Sequence, residues 1–209
     1  MYEIWQQLSK KHNPEKQISK QIFDIIQKSY TSSRRFYHNL EHIRKMLMSV
    51  QPYILYLKHP DILYFAIWFH DIVYNPLRKD NEKKSAQVAK KLLLKLGIDA
   101  FSISEICNNI ERTATHFEHF ENESPELKLL LDADLETLGS APEVYDLNTR
   151  NIRKEYAIIP DSVFNAGRAK VLQKFLDMPQ IYRTPTFFEK YETQARQNLK
   201  IELDTLLIC

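Results

Sequence analysis

Five of the seven histidines in this chain lie in apolar or aromatic company: His38 and His42 in YHNLEH, His70 in FAIWFHD, and His116 and His119 in THFEHF. His12 and His59 sit beside lysines in polar connections, where solvation is the expectation. A polar ring buried without a partner is expensive, so an imidazole in apolar surroundings needs a hydrogen bond or a cation. His70 poses that demand most sharply. The stretch 63–69 is apolar on every face, which puts its helix in the core, and it ends in His70-Asp71 with Pro76 soon after. The doublet suits a metal ion, or equally a core histidine hydrogen-bonded to its aspartate. His38 and His42 are four apart and share a helix face if the helix already includes His38. That spacing fits two imidazoles on one metal, one ligand beside one substrate-binding group, or a surface pair. His116 and His119, interleaved with Phe117 and Phe120, read as a pocket edge or as a tightly packed helix end.

The acidic counterpart is LLLDADLETLG, with Asp132, Asp134 and Glu136. Carboxylates two apart on a helix diverge by about 200°, so Asp132 and Asp134 do not face one centre. Leu131, Leu135 and Leu138 form a buried stripe beside which Asp134 lies. The pattern leaves the choice between the two aspartates open.

These side chains need rigid elements to carry them, and the periodicity names helices. Apolar residues recur at three and four, as in Ile18, Ile22, Ile25 and Ile26, or Val88, Leu92, Leu93 and Leu96. Only Gly97, Gly139 and Gly167 supply glycine, and no alternating apolar–polar run stands out, which argues against a β-rich domain. Pro60, Pro125, Pro142 and Pro160 suit first turns, Asp61 and Glu126 add favourable charge there, and Gly97 and Gly139 follow leucine-rich segments. Helices are expected near 2–11, 16–29, 38–57, 60–74, 80–96, 102–119, 125–138, 142–157, 161–176 and 186–207. With no repeat or low-complexity linker, the expectation is one all-α domain over residues 1–209. Its chemistry-bearing core would span about 34–140, with the helices of 142–207 packed on it.

Composition narrows the rest. Hydrophobic residues at 44% and charged residues at 27% are ordinary for a globular chain and argue against disorder. A net charge of +2 gives no reason to expect nucleic acid or an acidic membrane as partner. Cys107 and Cys209 are the only cysteines, so a disulfide framework is not expected. A reducing cytoplasm fits, and neither a signal-peptide core nor a membrane-length apolar run is present.

In order, His42, His70-Asp71 and the DAD segment resemble the H…HD…D signature of the HD superfamily of metal-dependent phosphohydrolases. The strings YHNLEHI, WFHDIVYNP, NEKKSA, DADLETLG and IRKEY resemble its predicted metal-dependent phosphohydrolase branch, from about Arg34 to the C-terminus. The resemblance implies an HD-like helical bundle holding one divalent ion on His42, His70, Asp71 and Asp134. Ala133-Asp134 matches the family's alanine-aspartate pair, although Glu136 stands where a leucine is usual. Mixed nitrogen and oxygen donors without thiolate suit manganese, iron, cobalt, nickel or zinc, and magnesium less well. The implied reaction is hydrolysis of a small phosphate ester, such as a nucleotide. Glu82, with Asn81 and Ser85 beside it, is the candidate for orienting or deprotonating water; the alternative is a solvated first helical turn. His38 and His116 are candidates for protonating the leaving oxygen or contacting phosphate, and coordination by His116 would allow a second metal. Arg153, Lys154, Arg168 and Arg196 offer cations for phosphate; Tyr182, Phe187, Phe188 and Tyr191 either stack on a base or simply pack. Two rival classes stand beside the hydrolase. One is a diiron oxygenase, needing His116 and His119; the other is a non-catalytic ligand-sensing module. The substrate and the oligomeric state stay open.

Overall fold

Pro60 and Asp61 start a helix whose remaining residues carry no charge, and the fold gathers around it. In the computed structural model, which describes residues 1–13, 15–118 and 122–208, this helix is α4 (Pro60–Phe69). Ile62, Leu63, Phe65, Ala66, Ile67, Trp68 and Phe69 are all buried. Three helices precede it: α1 (Tyr2–Lys10), α2 (Lys16–Tyr30) and α3 (Leu40–Val50). After it come α5 (Asn81–Lys95), α6 (Ala100–Arg112), α7 (Pro125–Leu135), α8 (Pro142–Glu155), α9 (Asp161–Asp177) and α10 (Pro185–Ile208). The described residues thus form an all-helical bundle without β-structure. No helix among them is long and apolar enough to cross a membrane.

Helices α3, α5, α6 and α7 pack directly on α4. Trp5 of α1 meets Phe65, Trp68 and Phe69 edge-on, and Phe23 of α2 meets Trp68 the same way. Helix α10 closes the other end, against α9 and the 3-10 turn Glu136–Gly139. Gly97, at a φ of 81°, ends the α5 segment in a conformation that side chains resist.

Several boundaries differ from the periodicity, and three of them bear on the candidate site. Helix α3 starts at Leu40 rather than 38, because Asn39 is extended and its side chain accepts from the amides of Glu41 and His42. His38 therefore lies outside the helix, and its relation to His42 is not that of two residues on one helical face. Helix α4 stops at Phe69 instead of running to 74. The Tyr30 hydroxyl bonds to the Trp68 carbonyl and accepts from the Asp71 amide, both at 3.2 Å. Helix α6 stops at Arg112, followed by a 3-10 turn over Thr113–Thr115. His119 and Phe120 lie outside the described residues.

At Gly139 the turn is pressed against α10. A β-carbon there would stand 2.6 Å from the Tyr191 Cβ and 2.7 Å from its carbonyl oxygen. Backbone of a packed helix has no room to yield, so Gly139→Ala is expected to cost about 1–3 kcal/mol as overpacking. Urea or thermal unfolding reads this directly; an unchanged midpoint would contradict the packing described.

Candidate metal centre

Three elements converge on one point. His42 comes from the first turn of α3, His70 and Asp71 from the turn that ends α4, and Asp134 from the last turn of α7. His42 and His70 are 4% and 1% exposed. Their Nε2 atoms approach to 3.3 Å. Asp71 Oδ2 lies 3.2 Å from His70 Nε2. Asp134 Oδ1 lies 3.1 Å from His42 Nε2 and 3.6 Å from His70 Nε2. His42, His70 and Asp71 each offer a donor atom, all within 4.8 Å of one another.

The proton arrangement suits a cation. His70 Nδ1 is 3.0 Å from the Ile67 carbonyl oxygen. A carbonyl only accepts, so Nδ1 carries a ring proton, and once the other proton leaves, the Nε2 lone pair faces the centre. Donors held about 2.1 Å from a shared ion stand roughly 3–3.4 Å apart; three of the four separations fall in that range, and His70 Nε2 to Asp134 Oδ1 is wider at 3.6 Å. The donor set is mixed nitrogen and oxygen, and it fits a divalent first-row ion.

Electrostatics say the same. Burial works to lower the pKa of His70, but Asp71 and Asp134 outweigh it and hold the imidazole well above its ordinary range. Burial likewise disfavours charge on Asp71, yet His70 and His38 keep it well below the usual carboxylate range. Asp134 is depressed against burial by His70, with hydrogen bonds from His116, His42 and His70. Buried carboxylates require positive charge, which a proton on His70 supplies when no cation does.

Asp132 and Asp134 diverge as the helical angle demands. Asp132 accepts from the amides of Arg183 and Thr184, each at 2.7 Å, and from the Thr184 hydroxyl at 2.6 Å. It thereby caps the start of α10. Burial pushes its carboxyl up, against these bonds, which pull it down. Arg183 in turn donates to the carbonyls of His116 and Glu118. That strap holds His116 where its Nε2 lies 3.0 Å from Asp134 Oδ2.

His38 stands at the rim. Its Nε2 is 3.9 Å from Asp71 Oδ2, and its Nδ1 is 2.6 Å from Glu155 Oε2. The ring stacks on Tyr74 at 4.1 Å and meets Tyr37 edge-on. Burial lowers its pKa, but Asp71 and Glu155 together raise it. Glu82, in the first turn of α5, is partly buried; burial raises its pKa, with Asp71 and Asp134 adding to the rise. Asn81 and Ser85 serve the backbone instead. Asn81 exchanges hydrogen bonds with the amide and carbonyl of Asn75, and Ser85 does so with Val73. They tie α5, and with it Glu82, to the chain that follows His70-Asp71.

Among the candidate phosphate cations, three arginines are engaged elsewhere. Arg153 bonds Asp161 and the carbonyls of Tyr156 and Ile159; Arg168 grips Glu202; Arg196 bonds Glu192 and three carbonyls near the end of α9. Lys154 is exposed and lies 5.6 Å over the Phe36 ring. Tyr182, Phe187 and Tyr191 pack on one another, whereas Phe188 is 41% exposed. The cavity of about 360 Å³ lined by Ile4, Leu8, Leu47, Met48 and Trp68 includes none of the clustered histidines or aspartates.

Periodicity missed three residues. Arg35 donates to the carbonyls of His38, Asp71 and Ile72, clamping the two histidine-bearing turns together. Tyr30 ends α4. Glu155 had a readable signal: Tyr145, Asn148, Ile152 and Glu155 recur at three and four, which places the acid on the inward face of α8. Arg35 and Tyr30 had no comparable signal, because their partners are backbone groups of a distant turn.

Neither family models, curated proteins nor solved structures yield a match to this chain. Fold and site together define an all-helical protein with a His42/His70/Asp71 group able to chelate one divalent metal ion.

The two aspartates separate by experiment. Asp134→Asn is expected to lower zinc or manganese content by more than tenfold with the fold intact. Asp132→Asn should leave metal content unchanged and cost about 1–3 kcal/mol, because one donor at α10 then faces an amide. Metal analysis beside urea unfolding checks both, and the reverse pattern would refute the assignment.

The pH dependence has a definite sign. In the metal-free protein the elevated His70 contributes fully below about pH 6.5, and that stability is lost as pH rises through its folded value. The depressed Asp71 and Asp134 contribute above about pH 3.9 and lose their share as pH falls through theirs. A cation displaces the His70 proton, so zinc affinity should rise with pH and release protons in calorimetry. A pH-independent affinity between about pH 6 and 8 would contradict this linkage.

Proposed function

We propose that this chain is an HD-type, divalent-metal-dependent phosphohydrolase acting on a small phosphate ester, such as a nucleotide. The observation that carries the reading is the group of three donors, with His70 Nε2 turned inward because its Nδ1 bonds the Ile67 carbonyl. His42, His70, Asp71 and Asp134 would hold the ion. Such an ion, when bound, supplies Lewis acidity to a phosphate oxygen and acidifies water.

The remaining steps belong to side chains. Water attacks phosphorus, forming one P–O bond as the ester P–O bond breaks. Glu82 orients that water and takes its proton, a role favoured by a carboxyl whose pKa is raised by burial and by Asp71 and Asp134. His38 gives a proton to the leaving oxygen, supported by its raised pKa and its position at the rim. His116, which bonds Asp134, would steady it and contact a phosphate oxygen. Asp71 and Asp134 balance a divalent charge, so an anionic ester meets a formally neutral centre.

A panel of phosphomonoesters, nucleotides and cyclic nucleotides with manganese, cobalt or nickel tests the reading. His70→Ala is expected to remove both metal and turnover. Glu82→Gln should keep the metal and lower kcat by about 10²- to 10⁴-fold. Turnover and metal content that both survive His70→Ala would sink the proposal. Tight metal binding with every substrate refused would favour a ligand-sensing module.

A further inference from the structure

Glu155 lies on α8, far along the chain from the histidines, yet its side chain ends beside His38 with no exposed surface. One oxygen, Oε1, accepts from the amides of Tyr37 at 2.7 Å and His38 at 3.0 Å. The other, Oε2, lies 2.6 Å from His38 Nδ1. Burial raises the pKa of this carboxyl, but His38 and the two amides more than reverse that, so it is held ionised. An ionised carboxylate only accepts, and so it selects a ring with its proton on Nδ1.

From this geometry we infer that Glu155 is a positioning residue for His38, fixing the proton on Nδ1 and aiming Nε2 at the metal centre. Three further contacts restrict the same ring. Tyr74 stacks on one face, Tyr37 meets it edge-on, and Arg35 holds the His38 carbonyl. None of these chooses between the two ring nitrogens; Glu155 does, at hydrogen-bond distance from Nδ1, whereas Asp71 Oδ2 stands 3.9 Å from Nε2, beyond that distance. The inference rests on the reading of His38 as the proton donor in hydrolysis, but the proton's location is measurable without turnover.

Glu155→Gln discriminates well because the two oxygens have different duties. Two backbone amides claim the Oε1 position, so the glutamine carbonyl must occupy it. The amide NH₂ then faces His38 Nδ1 and donates to it, which moves the neutral ring's proton to Nε2. Long-range ¹H–¹⁵N spectra of zinc-loaded protein labelled at histidine nitrogen report this directly, with His38→Asn assigning the signal. The wild type is expected to carry a proton on Nδ1, Glu155→Gln to carry it on Nε2, and Glu155→Asp to retain it on Nδ1. With an active substrate, Glu155→Gln should lower kcat about 10- to 100-fold with KM and metal content unchanged, and Glu155→Asp should recover part of that loss.

A wild-type His38 bearing its proton only on Nε2 would overturn the inference even if Glu155→Gln failed to fold. So would a Glu155→Gln protein whose Nδ1 proton stays in place. Loss of the hydrolase reading through His70→Ala would leave the spectra unaffected, so the two failures are distinguishable.

Discussion

Negative charge held inside an apolar shell governs this structure. Asp71 and Asp134 stand among buried rings at the end of the most apolar helix in the chain, where isolated carboxylates are too costly to keep. Their charge is tolerable only because His42, His70, His38 and His116 surround them, and because a proton or a cation sits among the rings. Much of the surrounding architecture exists to hold that balance. Tyr30 ends α4 before His70, Arg35 fastens the turn of Asp71 to the turn of His38, and Asn39 starts α3 so that His42 points inward.

The C-terminal helices belong to the same device. Asp132 and Asp134 leave α7 in opposite directions, one to cap α10 and one to meet the histidines. Helix α8 sends Glu155 to His38, and Arg183 fastens the segment bearing His116. Removing these helices would therefore disturb the centre itself. A rigid frame around a mixed-donor group is what metal chemistry needs, since donors must keep their spacing before an ion arrives.

Legibility varied with the kind of interaction. Helices were readable because a buried stripe repeats within each segment, as in α2 and α5. His70-Asp71 was readable because a polar doublet closing an all-apolar run must be satisfied. Glu155 was readable in principle, since its helical period put a carboxylate on a buried face. Arg35 was not, because its partners are carbonyl oxygens of residues 36 and 37 positions away, and backbone leaves no mark in composition. The partners of Arg153, Arg168 and Arg196 were illegible for a related reason: a charge's partner depends on packing, and each is bound to a carboxylate of the scaffold.

By itself, the order of residues determined an all-helical chain and marked His70 and Asp71 as groups that must meet something, with His42 a candidate beside them. Local periodicity and the cost of burying polar atoms suffice for that much. Only the tertiary structure decided that His38 leaves the helix, that Asp134 rather than Asp132 faces the rings, and that Glu155 stands behind His38. Each of these depends on the angle at which one helix meets another, and that angle is set by the packing of the whole core.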